Sequence, residues 1–209
     1  MIELGGISLA ERSLRSLREV GAGEVLAVTG HRPEAFEPIA DMIAERRFNP
    51  RFADAGNIYS LWCARDAVER GCYVVNSDVL FETEIARRLI ALDATAVLCS
   101  RSHGVDEESM KAESRDGLLT RLSKDADPDV HPEYIGLTRI DPEHGPALAG
   151  ILEDLVAKGV VDVYYEEAIE RLARSQPVHV VRVDGLAWIE IDDNDDLARA
   201  RAEVLEQVA

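Results

Sequence analysis

The stretch Tyr73-Val74-Val75-Asn76-Ser77-Asp78-Val79-Leu80-Phe81-Glu82 decides the fold. A β-rich run, Tyr73 to Val75, stops at three small polar residues, and apolar character then resumes. β-Branched and aromatic residues suit strands, whereas Asn, Ser and Asp bond their own backbone and suit turns. Ligands of open α/β sheets gather outside the carboxyl ends of the strands. Asp78 therefore stands where a carboxylate can hold a cation against a phosphorylated ligand. Mg²⁺ is commonly held by one or two carboxylates together with substrate phosphates, so one aspartate is a sufficient start. A cap or turn aspartate is the other reading, although Thr83 is better placed to cap the segment 84–92.

Strands and helices alternate on either side of this stretch. Val25-Leu26-Ala27-Val28 carries the unbroken apolar run of a strand buried on both faces. Asn57 is placed to cap a helix whose Ile58, Leu61, Trp62 and Val68 face inward, with Gly71 as its stop. The helix 84–92 leads to a strand at 95–99. This alternation predicts an α/β fold, a largely parallel sheet with helices on both faces. At the N-terminus, Ser8-Leu9-Ala10-Glu11 has the form of a capping box. Leu9, Leu14, Leu17 and Val20 continue it as a helical stripe ended by Gly21. Pro33 suits the first turn of another helix, with Ile39, Met42 and Ile43 inside. Residues 48–56 read as a loop.

The middle of the chain is polar from 102 to 132, and Asp116-Gly117 separates two short arms, the signature of a hairpin. We read it as a flap inserted into one domain spanning 1–209, because 133–140 returns to strand character. Residues 145–158 and 165–173 read as helices. Residues 178–183 and 188–191 read as a second hairpin turned at Asp184-Gly185. Asn194 or Asp195 would cap a last helix with Leu197, Ala200 and Val204 inside.

Composition narrows the function classes. The chain carries 23 Lys plus Arg against 40 Asp plus Glu, a net charge of −17. Such a surface argues against nonspecific nucleic-acid binding, which needs a basic stripe. It leaves room for a phosphorylated small molecule, provided the site supplies metal or local cations. No apolar run is long enough to span a bilayer and no signal pattern opens the chain, so a cytoplasmic location is expected. Cys63, Cys72 and Cys99 lack metal spacing and read as buried thiols of a reducing compartment.

Trp188-Ile189-Glu190-Ile191-Asp192 is the second informative stretch. Period-two geometry puts Trp188, Glu190 and Asp192 on one strand face. Two carboxylates on one face repel unless a cation or base lies between them. Either they add ligands to the metal of Asp78, or Asp192 starts a capped turn while Glu190 is solvated.

In order, these motifs resemble the NTP transferases of the MobA-like kind. Within that group they are most similar to the phosphocholine and inositol-1-phosphate cytidylyltransferases and the sugar-1-phosphate nucleotidyltransferases. The matching residues are Leu4-Gly5-Gly6, Leu9-Ala10-Glu11-Arg12, Val28-Thr29-Gly30-His31-Arg32, Asn57-Ile58-Tyr59-Ser60-Leu61-Trp62, Asn76 to Phe81, Tyr134-Ile135-Gly136, Asp162 to Glu167 and Trp188 to Leu197. The resemblance implies a Rossmann-like three-layer α/β/α fold with a mixed, mainly parallel sheet of the nucleotide-diphospho-sugar transferase type. It implies that Asp78 and Asp192, assisted by Glu190, hold Mg²⁺ against the α-phosphate of an NTP, CTP first among them. The acceptor would be a small phosphorylated alcohol such as phosphocholine, and pyrophosphate would leave. Asn57 and Ser60 match positions near nucleotide or acceptor, and capping is the other role for Asn57. Lys124 would meet a phosphate from the flap, and Tyr165 and Glu166, beside Tyr164, would shape the acceptor pocket. A carboxylate among aromatic rings suits a quaternary ammonium. A homodimer is compatible with the family. The family's first strand, Gly-rich phosphate loop and lysine are expected ahead of Met1. Their absence would expose two sheet edges and raises the alternative of an inactive binding domain. A sugar-1-phosphate nucleotidyltransferase is the second alternative. A glycosyltransferase of similar topology would show Asp-x-Asp where this chain has Asn76-Ser77-Asp78.

Overall fold

The computed structural model describes residues 2–102 and 104–208; Met1, Ala209 and His103, the last inside the expected flap, lie outside the described residues. A two-stranded turn, β1 (Glu3–Leu4) and β2 (Ile7–Ser8), leads into α1 (Leu9–Glu19). The Ser8 hydroxyl accepts the Glu11 N–H at 3.2 Å, as the capping pattern predicts. Gly21, at φ 81°, ends the helix. β3 (Leu26–Thr29) follows, then a 3₁₀ segment (Pro33–Met42) kinked at Ile39 behind Pro38, then β4 (Glu45–Phe48), parallel to β3. The sequence reading missed β4, because Glu45-Arg46-Arg47 shows no apolar alternation. An exposed edge strand tolerates such charge, and Arg47 is held by Glu45 and Asp66.

α2 (Asn57–Cys63) and α3 (Arg65–Glu69) precede β5 (Cys72–Val75), and β6 (Val79–Phe81) precedes α4 (Thr83–Ala91) and β7 (Ala96–Ser100). The hairpin β8 (Lys111–Arg115) and β9 (Leu118–Ser123) turns at Asp116 and Gly117, both with positive φ. β10 (Glu133–Ile140), α5 (Gly145–Ala157), α6 (Glu166–Ala173), β11 (His179–Arg182), β12 (Trp188–Glu190) and α7 (Asn194–Arg199) complete the order, with a π-helical turn (Ala200–Val204) after α7.

The main sheet has six strands in the order β5-β10-β7-β11-β9-β8. β7 and β11 are parallel, and β10 runs antiparallel to both β5 and β7. β5, β7 and β11 therefore share one direction in a mixed sheet, with β10 inserted against them. Alternate residues of β7 face opposite layers, as strand geometry requires. Val97 and Cys99 pack with Ile58, Leu148, Leu152, Ile169 and Leu172 of α2, α5 and α6. Leu98 packs with Leu17 of α1 and Ile85 and Leu89 of α4. These are the three layers of the expected α/β/α fold. The β8–β9 hairpin extends the sheet, with Leu119 and Leu122 buried in the α6 layer.

Two readings are corrected. Residues 178–191 do not form a hairpin: β11 joins β7 in parallel, while β12 crosses to pair antiparallel with β6. Asp184, the expected turn residue, accepts the Arg101 N–H at 2.7 Å and binds Arg182, which turns the chain off the main sheet. The run at β3 is half-buried along Leu26–Val28 instead of buried on both faces. Among the described residues β3 is paired only with β4, and β5 only with β10.

Candidate active site

The β6–β12 pairing builds the site. Register places Glu190 opposite Val79, and the Ile191 N–H donates to the Asp78 carbonyl at 3.0 Å. Two segments more than a hundred residues apart in sequence thus share one ladder. Asp78, Glu190 and Asp192 each offer a carboxylate oxygen, and these oxygens lie within 4.8 Å of one another. The Asp192 loop is anchored behind this point by a capping box. Asp193, one residue before the expected caps, accepts the N–H groups of Asp195 and Asp196. Asp196 in turn accepts those of Asp192 and Asp193.

Thr83 does not cap α4; Glu82 precedes the helix with its side chain turned to the Ala187 N–H. The Thr83 hydroxyl, as the first helical residue, donates to Ser16 at 3.1 Å. Asp78 caps nothing either. Its Oδ1 is buried and has no hydrogen-bond partner, an expensive condition for a carboxylate oxygen.

The cluster concentrates negative charge in a half-buried place. Burial raises the Asp78 pKa, with a further push from Asp192. Burial, then Asp78 and Asp192, raise that of Glu190 to about 8. Glu133, at the start of β10, was not among the expected site residues. Burial raises it to about 7, with smaller contributions from Asp106 and Asp192. Each shift has burial of the charged form as its first cause, and around Asp78 and Glu190 the neighbouring carboxylates add to it. A divalent cation would supply a counter-charge. Carboxylate oxygens are the ligands that Mg²⁺, Ca²⁺ and Mn²⁺ prefer, and the partnerless Oδ1 fits such a ligand.

A second layer joins α2, α6 and the Asn76–Asp78 turn. Asn57 is the first residue of α2, and Gly56 is its N-cap, so the capping role expected of Asn57 is not the one it plays. Its Oδ1 accepts the Tyr165 N–H at 2.7 Å. The Tyr165 hydroxyl donates to Asn76 Oδ1 at 2.8 Å and meets the Tyr134 hydroxyl at 2.7 Å, which meets Thr138 at 2.7 Å. Gly136 makes room for this chain. It sits at φ 75° within the irregular part of β10, its carbonyl accepts the Asn76 N–H, and a Cβ there would lie 2.9 Å from Asn76 side-chain atoms. Sequence reasoning missed Asn76 and Gly136 as supports. Their only signal was a glycine inside a strand, which often marks a bulge.

Glu166 opens α6 beside this network. It is 4 % exposed, and its Oε2 has no hydrogen-bond partner. Burial raises its pKa to about 7, followed by the nearby Asp78, while Asn57 hydrogen-bonds to the carboxylate and Lys124 opposes the rise. Lys124 bonds Glu108 at 3.3 Å and lies 5.4 Å from the Tyr164 ring centre, within electrostatic reach of Asp192. Asp78, Glu190, Asp192, Asn57, Lys124, Tyr165 and Glu166 are therefore brought together. Ser60 is placed differently: its hydroxyl accepts from Asn49 at 3.0 Å in the loop after β4.

A mixed α/β sheet with carboxylates at the outlet of β5 defines the nucleotidyltransferase class of fold. Residues 1–127 match the MobA-like NTP transferase domain, more than half of the 209 residues, and the chain belongs to that family. A curated relative, CMP-5'-(3-aminopropyl)phosphonate synthase of Streptomyces rubellomurinus, is 26% identical over 214 residues. The alignment covers 94% of this chain and 34% of the relative, so the chain spans about a third of that protein's length. CTP:phosphocholine cytidylyltransferase from Streptococcus pneumoniae superposes with a TM-score of 0.83 at 18% identity, over 96% of this chain and 86% of that one. The inositol-1-phosphate CTP transferase from T. maritima gives 0.82 at 16% identity, over 99% and 85%. At these identities the structural likeness establishes the fold. Among the described residues no helix is long and apolar enough to cross a membrane.

Proposed function

We propose that this chain transfers a cytidylyl group from CTP to a small phosphate or phosphonate acceptor, releasing pyrophosphate. The observation that carries the reading is the convergence of carboxylate oxygens of Asp78, Glu190 and Asp192 within 4.8 Å of one another, together with a buried Asp78 Oδ1 that has no hydrogen-bond partner. The choice of CTP is supported by the CMP-bearing product in the Streptomyces relative's name and by the CTP named for the two structural neighbours.

Asp78 and Asp192, with Glu190 assisting, would hold the metal, which we take to be Mg²⁺. Bound there, it would supply positive charge to offset the repulsion among phosphoryl groups brought to the site. The residues of the chain contribute position. The backbone bond from Ile191 to Asp78 keeps the two ligand segments in register, and the Asn76–Tyr165–Tyr134 chain supports the turn that presents Asp78. An acceptor oxygen attacks the α-phosphorus in line; the new P–O bond forms as the bond to the pyrophosphate oxygen breaks. The acceptor is already anionic at neutral pH, so no general base is required, and positioning and charge neutralisation carry the catalysis. Lys124, near Asp192, would meet acceptor or nucleotide phosphoryl oxygens. Asn57, Tyr165 and Glu166 would form the acceptor end. We take the 209 residues to act as one unit in a reducing cytoplasm, where the three free thiols persist.

The test is pyrophosphate release with Mg²⁺, CTP or UTP, and phosphocholine, inositol 1-phosphate, 2-aminoethylphosphonate or glucose 1-phosphate. Turnover that disappears in Asp78→Asn supports the reading and names the acceptor. Turnover with glucose 1-phosphate alone would favour a sugar-phosphate enzyme. Silence with every pair would overturn the catalytic reading and leave a binding domain.

A further inference from the structure

We infer that Lys111 and Glu108 are positioning residues for phosphate binding: Lys111 fastens the loop 106–109 to the flap hairpin, and Glu108 on that loop aims Lys124 at the ligand's phosphoryl oxygens. This rests on the nucleotidyl-transfer reading, in which Lys124 meets those oxygens, and deepens it. Lys111 opens β8 and is wholly buried, an expensive place for an ammonium group. Its Nζ donates to the backbone carbonyls of Asp106 and Glu107 at 2.9 and 3.0 Å. Glu133 stands opposite it in the β8–β10 pairing, where the lysine's charge favours the carboxylate. A buried charge therefore ties down a loop whose residues 106–108 are exposed.

The loop is also closed on itself. The Asp106 carboxylate accepts the N–H groups of Glu108 and Ser109 at 3.0 and 2.9 Å and the Ser109 hydroxyl at 3.0 Å. Ser109 hydrogen-bonds Glu133 as well. Fixed in this way, the loop presents Glu108, whose side chain is 89% exposed and bonds Lys124 Nζ at 3.3 Å.

Lys124 follows directly on β9. Its ammonium lies 5.4 Å from the Tyr164 ring centre and within electrostatic reach of Asp192. An ammonium has three N–H donors, so the Glu108 bond leaves donors for a phosphoryl oxygen. An exposed ion pair alone adds little, because two long side chains must be ordered to make it. Here the carboxylate sits on a loop ordered by buried bonds. A ligand then finds the lysine already directed, and less freedom is lost on binding.

The experiment measures kcat and KM on the full chain with Mg²⁺, CTP and whichever acceptor turns over, for Lys111→Met, Glu108→Gln and Lys124→Met, alone and paired. We expect Lys124→Met to raise the KM of one phosphate-bearing substrate about 10-fold or more. Lys111→Met should raise the same KM about fivefold and Glu108→Gln about threefold, with kcat within about twofold. In the Lys124→Met background neither change should move that KM by more than about twofold, because the residue they act through is gone. A merely structural role would lower the share of active chain, so kcat would fall and KM would stand. That result, or a KM increase of equal size in both backgrounds, would overturn the inference. Glu108→Gln lies on the surface and decides the matter should Lys111→Met fail to fold. Should no pair release pyrophosphate, calorimetric Kd values for inorganic pyrophosphate with Mg²⁺ replace KM in the same cycle. The silence would then count against nucleotidyl transfer alone, whereas an unaltered chain that does not bind pyrophosphate would overturn the inference too.

Discussion

At the scale of the residue, the site is a set of buried and half-buried carboxylates crowded against one another, and its behaviour with pH follows from that. Burial is the largest cause for each, and raises Glu133 and Glu166 to about 7 and Glu190 to about 8. A carboxyl group whose folded pKa lies above its unfolded value near 4.5 contributes stability that is complete below that value. The contribution is lost as pH rises through the folded pKa. The metal-free chain should therefore lose melting temperature, by several degrees, between pH 5 and about pH 8.5. Glu190→Gln should flatten the upper part of that decline, and a melting temperature that rises across the window would contradict the assignment. Asp78→Asn should cut turnover by about 10²-fold or more while leaving the metal-free fold at least as stable, since it removes a repelling charge. A matched loss of stability and turnover would make Asp78 structural.

At the scale of the element, the turn after β5 depends on its neighbours. Gly136→Ala would place a Cβ at positive φ and 2.9 Å from Asn76. We expect a cost of about 1–2 kcal/mol and a larger fractional loss of kcat than of KM, because the Asn76–Asp78 turn would shift. Unchanged kcat would detach this support from the chemistry. Tyr165→Phe should cost about 1–3 kcal/mol, leaving Tyr134 and Asn76 short of a buried partner; chemical denaturation with an unchanged midpoint would contradict it. Elements written in local pattern were legible in the sequence. The Ser8 cap, the Asp116-Gly117 hairpin and the strand at 133–140 all come from rules that act within a few residues. What depends on distant partners was not. β4 looks like a charged loop until Arg47 finds Asp66, and Asp184-Gly185 looks like a hairpin turn until β12 is seen beside β6. Asn57 looks like a cap because its true partner, Tyr165, is 108 residues away.

At the scale of the whole molecule, the parallel strands β5, β7 and β11 with β10 set against them bring the outlet of β5 to the β6–β12 ladder. Asp78, Glu190 and Asp192 were legible as candidates because strand periodicity put two of them on one face and a strand outlet exposed the third. Glu133 was not, since nothing near it in sequence shows that β10 begins within electrostatic reach of Asp192. Because Mg²⁺ would bind the folded cluster and find no such cluster in the unfolded chain, it should raise the melting temperature at pH 8, more in the unaltered chain than in Asp192→Asn. An equal rise in both would place the ion elsewhere. The most direct test of the account is phosphorus NMR on mixtures of the chain, Mg²⁺ and CTP with phosphocholine, inositol 1-phosphate, 2-aminoethylphosphonate or glucose 1-phosphate in turn. The account predicts, with at least one acceptor, pyrophosphate together with a new P–O–P pair joining CMP to the acceptor, both absent with Asp78→Asn. Unchanged CTP with every acceptor, or CMP released without a joined product, would contradict it.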